Sequence, residues 1–271
     1  MKRHVFILSD GTGITAEHLS NSLLSQFSGI EFEKETYPYI DSVEKAQRMI
    51  DNIEASNAKH QQQPLVFMTI VNLEITSLLK QSTAIVFDLF NTFIEPLELA
   101  LNTKSSYTVG QSHSLLNTQS YTHRMQAVEF TLNHDDGIHS KGYELADIIL
   151  IGVSRSGKTP TCLYMALNFG IKAANFPFTE DLANWDRLPA LLQPYKSKLF
   201  GLTIHPERLQ HIRSERSPGS RYATLDQCRR EIADIEMLYK NERIPYLDST
   251  KFSIEEISTR IVALAGLKRT L

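Results

Sequence analysis

The sequence predicts an α/β fold in which an N-terminal α/β domain precedes a second domain with a mostly parallel sheet. Short apolar strands alternate along the chain with amphipathic helices of ten or more residues, a pattern typical of parallel sheets covered by helices. The 271 residues are enough to bury two cores. Residues 1–148 contain 10 Lys and Arg against 18 Asp and Glu, a balance of −8, whereas residues 149–271 contain 18 against 13, a balance of +5. This change of sign also indicates two modules.

The first domain is predicted to cover residues 1–140. An apolar strand enters a helix through the glycine-containing turn 9–13, which is how an α/β unit begins. Asp41 and Glu44 have the spacing of a capping box for the next helix. The predicted strands are 4–8, 65–71 and 84–87, and the predicted helices are 14–27, 41–58 and 124–132.

The second domain is predicted to cover residues 141–271, where strands and helices alternate more regularly. Thr224 with Gln227, and Ser253 with Glu256, are expected to cap the last two helices. The predicted strands are 146–153, 173–176, 199–204 and 244–247, and the predicted helices are 158–169, 207–216, 224–240 and 254–265.

Composition excludes several classes of protein. Apolar runs such as 65–71 and 148–153 are too short to cross a membrane, and the apolar start at 5–8 is too short for a signal peptide, so a cytoplasmic protein is expected. Cys162 and Cys228 have neither metal nor disulfide spacing and are expected to be buried or idle thiols. The basic excess of the second half is too small and too poor in aromatics for long nucleic acid, although it suits a nucleotide.

The strongest functional signal is a phosphate-binding loop. It follows a predicted strand and opens a predicted helix, which is the context that the motif G-x-x-x-x-G-K-[ST] requires. Backbone N–H groups of such a loop surround phosphate oxygens at the positive end of the helix. Lys158 is expected to be a solvent-facing cation for the terminal phosphates, and the Thr159 hydroxyl a ligand for Mg²⁺. The loop is Gly152-Val153-Ser154-Arg155-Ser156-Gly157-Lys158-Thr159, which predicts that 141–271 is a P-loop nucleotide-binding, kinase-like domain.

The acidic partner of this loop is less obvious. A magnesium-binding acid normally ends a second strand, but the strand 199–204 ends in His205-Pro206. The pair Asp135 and Asp136, next to His134, suits proton transfer or metal binding. Weaker candidates are Asp10, in the sequence D-G-T-G, and Asp88. The alternative for all four carboxylates is a role as plain turn residues, which is the commoner one for an Asp beside Gly.

Arginines form a second cluster of charge. Arg155 lies inside the P-loop and is predicted to be functional. Six more are found within 23 residues, and they have two interpretations: a solvated helix face paired with nearby acids, or a lid whose guanidinium groups neutralise phosphate. The six are Arg208, Arg213, Arg216, Arg221, Arg229 and Arg230.

Four motifs in order, together with Arg221-Tyr222-Ala223 and the C-terminal helix, resemble the family of phosphoenolpyruvate synthase regulatory proteins, and the resemblance extends over almost the whole chain. This family belongs to a wider group of bifunctional serine/threonine kinases and phosphorylases that includes the regulators of pyruvate, phosphate dikinase. The motifs are Ser9-Asp10-Gly11-Thr12-Gly13-Ile14-Thr15-Ala16-Glu17, His134-Asp135-Asp136-Gly137, the P-loop continued by Pro160-Thr161, and Phe200-Gly201-Leu202-Thr203-Ile204 followed by Pro206-Glu207-Arg208-Leu209.

The resemblance implies a kinase that uses ADP to phosphorylate a threonine of its target enzyme, phosphoenolpyruvate synthase, and thereby inactivates it. The opposite activity is implied to be a phosphorolysis, in which inorganic phosphate removes the phosphoryl group and leaves as pyrophosphate. ADP and phosphate would share the P-loop with Mg²⁺, and Lys158, Arg155, Asp135 and Asp136 would serve catalysis. The acidic N-terminal domain would recognise the protein substrate, and a homodimer is compatible with the family.

Three alternatives remain open from the sequence. The same chemistry would suit pyruvate, phosphate dikinase as the target. A small-molecule P-loop kinase, of the shikimate or adenylate kinase type, has the same loop, although such kinases need no extra domain of 140 residues. A nucleotide-responsive binding protein would use the P-loop without any transfer chemistry.

Overall fold

The computed structural model describes residues 2–108, 118–137, 141–179 and 187–269. The chain divides into two compact units, Met1–Leu115 and Leu116–Leu271. Each unit contains its own four-stranded sheet. Within the described ranges, no helix has the length and apolar character that crossing a membrane requires.

The first unit is a parallel sheet with the strand order β2-β1-β3-β4. Successive residues of β1 face opposite sides, so Val5 and Ile7 enter one buried cluster while Phe6 and Leu8 enter another. The sheet is therefore apolar on both faces, as parallel sheets covered by helices are. Its elements are β1 Lys2–Ser9, α1 Ile14–Leu24, β2 Glu31–Tyr37, α2 Val43–His60, β3 Leu65–Thr69, α3 Leu73–Leu79, β4 Ile85–Asp88 and α4 Asn91–Leu101.

The second unit is also a parallel sheet, with the order β6-β5-β7-β8. All six residues of β5 are buried, and they alternate between the clusters on the two faces. The elements are α5 Thr118–Asn133, β5 Ile148–Val153, α6 Lys158–Phe169, β6 Ala173–Phe178, β7 Leu199–Thr203, α7 Pro206–Arg216, α8 Leu225–Glu242, β8 Tyr246–Asp248 and α9 Ile254–Leu264, with single 3₁₀ turns at Tyr143–Leu145, Gln193–Lys198 and Arg221–Ala223.

The two sheets have the same topology. In each, the unit's first strand is central, its second strand pairs on one side, and its third and fourth strands continue on the other. Ligands of open parallel sheets bind beyond the carboxyl ends of the strands where the order reverses, here between β1 and β3 and between β5 and β7. The P-loop follows β5 and therefore lies at the reversal point of the second sheet.

The predicted α/β class and the parallel sheet of the second domain are confirmed. The strand β2 and the helices α3 and α4 were not predicted. β2 is an edge strand whose sequence EFEKETY contains no buried residue, so it lacks the apolar run that identifies the other strands. Cys162 and Cys228 are free and buried, as expected.

The predicted helix caps have mixed outcomes. Thr224 accepts a hydrogen bond from the N–H of Gln227, and Ser253 forms a full capping box with Glu256. The predicted Asp41–Glu44 box is wrong, because Ser42 caps α2 by accepting from the N–H of Lys45 at 3.3 Å. Asp41 instead forms an ion pair with the ammonium of Lys45 at 2.7 Å.

The units divide earlier than the boundary predicted after residue 140. Helix α5 packs against α6 and β6, which belong to the second unit. The turn that follows α5 pairs with the backbone of β6. Both contacts tie α5 to the P-loop unit, and its weak amphipathic pattern in the sequence did not indicate which sheet it would cover.

Candidate phosphate-binding site

The P-loop connects β5 to α6 through a backbone that requires glycine at two positions. A Cβ at Gly152 would lie 2.6 Å from the carbonyl oxygen of Leu202 and 3.0 Å from Ser156 Oγ, so no side chain fits there. Gly157 precedes α6 with a φ of 95°, in the left-handed region that favours glycine. Arg155 has a φ of 75°, which is uncommon for a residue with a side chain and marks local strain.

Three carbonyl groups of the loop are held by side-chain donors. Each bond is about 3 Å long and comes from a different part of the second unit, so the backbone is held from several sides. The bonds run from Lys158 Nζ to Val153 O at 3.0 Å, from Arg213 Nη2 to Ser154 O at 3.1 Å, and from Ser249 Oγ to Ser156 O at 3.1 Å.

Fixing these carbonyls also orients the N–H groups of the loop. A trans peptide is planar, and its C=O and N–H point in opposite directions. The N–H groups that follow the three held carbonyls, those of Ser154, Arg155 and Gly157, therefore point away from the donors. Together with the N–H groups of Lys158 and Thr159, they have no hydrogen-bond acceptor within the described part of the chain. Unpaired N–H groups at a helix N-terminus are a binding site for an anion.

Lys158 is buried, contrary to the expectation of a solvent-facing cation. Its side chain is 4% exposed and its ammonium is bonded to the loop's own Val153 carbonyl. Burial lowers the pKa of Lys158 from 10.5 to about 8, although the carboxylates of Asp136 and Asp135 favour the charged form. The ammonium of Lys158 thus lies beneath the loop. The negative charge of a phosphate bound to the loop would offset the cost of burying this positive charge.

Asp135 is brought directly to the P-loop. Its Oδ1 accepts a hydrogen bond from Thr159 Oγ1 at 2.8 Å and a short one from Asn175 Nδ2. In other P-loop enzymes an aspartate and the loop's Ser or Thr hold Mg²⁺ together. Here the carboxylate beside Thr159 comes from the turn after α5. His205, where a second strand would usually supply an acid, is exposed, and its Nδ1 lies 2.7 Å from Glu207 Oε2.

Asp136 occupies a different environment from its neighbour. Its N–H donates to Asn175 Oδ1 at 3.0 Å, and its φ of 50° turns the chain at this point. Its side chain is exposed, and its carboxylate makes no hydrogen bond to any described residue, although it lies close enough to Lys158 to favour the charged ammonium. The pair therefore divides into a bonded carboxylate at Thr159 and an unbonded one nearby.

His134 holds this turn in place. The ring is buried, with Nδ1 2.7 Å from Phe130 O and Nε2 3.1 Å from Lys141 O. The backbone on either side of the acid pair is bonded to β6, because His134 O accepts from Asn175 N at 3.2 Å and Gly137 N donates to Asn175 O at 3.1 Å. His134 thus positions the carboxylates and is not itself open to a substrate.

The weaker acidic candidates have structural partners in the first unit. Asp10 is buried at the end of β1, where its carboxylate accepts from the N–H of Val71 at 2.6 Å, and burial raises its pKa. Asp88 accepts from both N–H groups of Asn91 and pairs with Lys80 at 2.8 Å. These bonds outweigh burial and lower the pKa of Asp88, whose carboxylate is thus fully engaged at the start of α4.

The arginine cluster follows neither predicted interpretation as a whole. Arg229 forms an exposed ion pair with Glu207 at 3.0 Å, as expected for a solvated helix face. Arg213, by contrast, is fully buried and forms an ion pair with Glu231 at 2.6 Å. Arg155 is exposed at the P-loop and makes no ion pair within the described ranges.

The sequence analysis did not identify the roles of Asn175, Arg213 and Ser249, although it named Arg213 in the arginine cluster. Asn175 lies in the predicted strand 173–176 and is fully buried, where an amide needs partners. Arg213 follows Leu209 by four residues and therefore shares the buried face of α7. A polar residue in an otherwise apolar buried position was thus a signal for the first two, whereas no local pattern marks Ser249.

Comparisons with known proteins identify the family of this chain. The sequence matches the Kinase/pyrophosphorylase family over residues 5–262. The chain belongs to this family. A protein of Legionella pneumophila strain Corby, named as a phosphoenolpyruvate synthase regulatory protein, is 58% identical over 271 residues and 100% of both chains. Proteins with the same name from Marinobacter nauticus and Hahella chejuensis are 55% and 54% identical over 269 residues, 99% of each chain.

Membership of the kinase/pyrophosphorylase family makes the chain an enzyme of the phosphotransferase type. The family match includes both the P-loop and the turn with the acid pair. The predicted resemblance is thereby confirmed over the full chain.

Replacing Lys158 by Met tests the buried charge. Because the pKa of Lys158 falls from 10.5 to about 8 on folding, the charged lysine lowers stability below pH 8, and this cost disappears as the pH rises toward 10.5. In phosphate-free buffer we expect the variant to be ~1–3 kcal/mol more stable than the wild type at pH 7, with the difference shrinking above pH 8. Urea unfolding from pH 6 to 10 measures both.

The exposed Lys251 provides a matched control, since Lys251→Met should leave the pH dependence of stability unchanged. A Lys158→Met protein that is less stable than the wild type at every pH would contradict this expectation. It would show that hydrogen bonds and nearby carboxylates fully offset the cost of burying the ammonium.

Proposed function

We propose that this enzyme phosphorylates a threonine of phosphoenolpyruvate synthase with ADP and removes the phosphoryl group with inorganic phosphate, releasing pyrophosphate. The supporting observation is a set of unpaired N–H groups beside the carboxylate of Asp136, which makes no hydrogen bond to any described residue. These N–H groups, which we call the cradle, are those of Ser154, Arg155, Gly157, Lys158 and Thr159. A single anion site next to a single base suits two reactions that both place a phosphate group at the same position.

In the kinase direction the β-phosphate of ADP would occupy the N–H groups of the loop. Asp136 would accept the proton of the threonine hydroxyl, whose oxygen then forms a bond to the β-phosphorus. The bond between that phosphorus and the bridging oxygen breaks, and AMP leaves with the electron pair. Lys158 and the loop N–H groups would stabilise the negative charge that develops on the transferred group.

In the opposite direction inorganic phosphate would bind in the same cradle. One of its oxygens attacks the phosphorus of the phosphothreonine, and the bond from that phosphorus to the threonine oxygen breaks. Asp136, now protonated, would return the proton to the threonine, so that pyrophosphate and the free hydroxyl are the products. The shared cradle explains why one site can serve both directions without hydrolysis.

Thr159 and Asp135 fit a magnesium ion, because they offer two oxygen atoms 2.8 Å apart at the edge of the cradle. Among the described residues no group of three or more His, Cys, Asp or Glu side chains is placed to hold a metal. Mg²⁺ commonly takes few protein ligands and completes its shell with phosphate oxygens and water. When bound, the ion would withdraw charge from the phosphates.

The target is proposed from the relatives, which are named as regulators of phosphoenolpyruvate synthase and match over the full length of both chains. The acidic first unit is proposed to recognise that large enzyme. Pyruvate, phosphate dikinase is the alternative target for the same chemistry. A homodimer and a cytoplasmic location stay predictions.

A labelling experiment tests the nucleotide and the target. Purified enzyme with Mg²⁺, phosphoenolpyruvate synthase and β-labelled ADP should transfer label to a threonine and release AMP, and added phosphate should then release labelled pyrophosphate. Label transferred from γ-labelled ATP in the absence of ADP, with none from β-labelled ADP, would contradict the donor. Label on a metabolite would indicate a small-molecule kinase, and no transfer would indicate a nucleotide-responsive binding protein.

Replacing Asp135 and replacing Asp136 should have different effects on the kinetics. Asn tolerates the left-handed backbone at position 136, so Asp136→Asn should keep the melting temperature and lower both rates by about 10²–10³. Asp135→Asn should instead raise the Mg²⁺ concentration that gives half-maximal activity, because it removes a proposed ligand.

Asp234, which is exposed on α8, is the control, and Asp234→Asn should match the wild type. If the activity of both acid-pair variants falls only in proportion to their melting temperatures, the turn is structural and the base lies elsewhere.

A further inference from the structure

Ser154 in the P-loop is held through its hydroxyl and its carbonyl group by Arg213 at the end of α7 and by Tyr222 between α7 and α8. Tyr222 donates its hydroxyl to Ser154 Oγ at 2.9 Å, and Arg213 donates Nη2 to Ser154 O at 3.1 Å. The guanidinium of Arg213 also lies over the ring of Tyr222, 4.0 Å from its centre. The three residues form one contact group, which we call the Ser154 clamp.

Glu231, Gln227 and the backbone of Tyr222 hold Arg213 of the clamp in place. Arg213 is fully buried and its Nη2 is 2.6 Å from Glu231 Oε2, while Gln227 Nε2 donates to Glu231 Oε1 at 3.0 Å. Arg213 Nη1 donates to the backbone oxygen of Tyr222 at 3.1 Å. The guanidinium therefore bonds to a carboxylate, a turn and the P-loop at once, and it has little freedom to move.

A buried ion pair is costly to desolvate and is weak evidence for a role in stability alone. The arrangement of this one is informative, because the same nitrogen of Arg213 bonds both Glu231 and the carbonyl of Ser154. Glu231 thus fixes the charged guanidinium of Arg213 so that it donates to one atom of the loop, the carbonyl oxygen of Ser154.

That atom controls an N–H group of the cradle. Ser154 C=O and Arg155 N–H belong to the same planar peptide, so holding the oxygen on the clamp side turns the N–H to the opposite side. Arg155 also has a φ of 75°, a strained conformation that persists only where the surroundings impose it. The clamp supplies that constraint.

We propose that Arg213 and Tyr222 are positioning residues, which hold the Ser154–Arg155 peptide in the orientation that binds a phosphate group. Their proposed effect on the ligand is indirect and acts through Ser154. The identity of the anion rests on the proposed function. The Arg221-Tyr222-Ala223 motif, which the proposed chemistry does not use, thereby acquires a role in setting the affinity of the P-loop.

Tyr222→Phe is the decisive variant, because it removes one hydroxyl and keeps the ring under Arg213. We expect the dissociation constants of Mg²⁺·ADP and of inorganic phosphate to rise about fivefold to tenfold, the effect of one lost neutral hydrogen bond. The melting temperature should change little. Hydrogen exchange at the amide of Ser156, which bonds to Val153 O at 3.3 Å, should become faster in the ligand-free protein.

Ser154→Ala and the double variant complete a mutant cycle. If Tyr222 acts through Ser154, adding Tyr222→Phe to Ser154→Ala should not weaken binding further. Tyr195→Phe is the matched control, since its hydroxyl bonds to Glu144 at 3.4 Å on the exposed surface of the same unit. Arg213 is less suitable for the first test, because its removal leaves Glu231 buried without its partner.

The outcomes separate this inference from the proposed function. Wild-type protein that binds neither Mg²⁺·ADP nor phosphate in calorimetry refutes the proposed function, and the inference with it. Wild-type binding with an unchanged affinity in Tyr222→Phe overturns the inference alone. So does a fall in melting temperature without a change in affinity or loop exchange, which would show a merely structural contact.

Discussion

The geometry of the site depends on one constraint, the planarity of the peptide bond in a loop whose carbonyl groups are held by side-chain donors. Lys158, Arg213 and Ser249 each bind a carbonyl oxygen of the P-loop. Each bond directs the following N–H to the other side. The orientation of these N–H groups is therefore set by three donors, which belong to α6, α7 and the residues after β8.

The same arrangement carries a cost in stability. Lys158 is a charge buried beneath the loop, and its lowered pKa of about 8 reflects the free energy needed to keep it protonated there. Arg155 adds backbone strain at its φ of 75°. A bound phosphate would compensate the charge of Lys158 and accept hydrogen bonds from the unpaired N–H groups.

The sequence predicts those parts of the fold that depend on residues close together in the chain. The P-loop, the central strand β5 and the caps at Thr224 and Ser253 all follow from residue types at fixed spacings. The polar edge strand β2 was missed because its side chains are not buried. Asn175 and Arg213 bond residues 40 and 59 positions away, and such contacts follow only from the tertiary packing.

Amide chemical shifts in ¹⁵N-labelled protein test the central claim most directly. Titration with Mg²⁺·ADP, and separately with inorganic phosphate, should shift the backbone N–H signals of Ser154, Arg155, Gly157, Lys158 and Thr159 downfield, because these groups gain charged acceptors. Both ligands should affect the same five signals, since the account gives them one cradle. Binding that leaves these signals in place and moves others, or separate sets of signals for the two ligands, would contradict it.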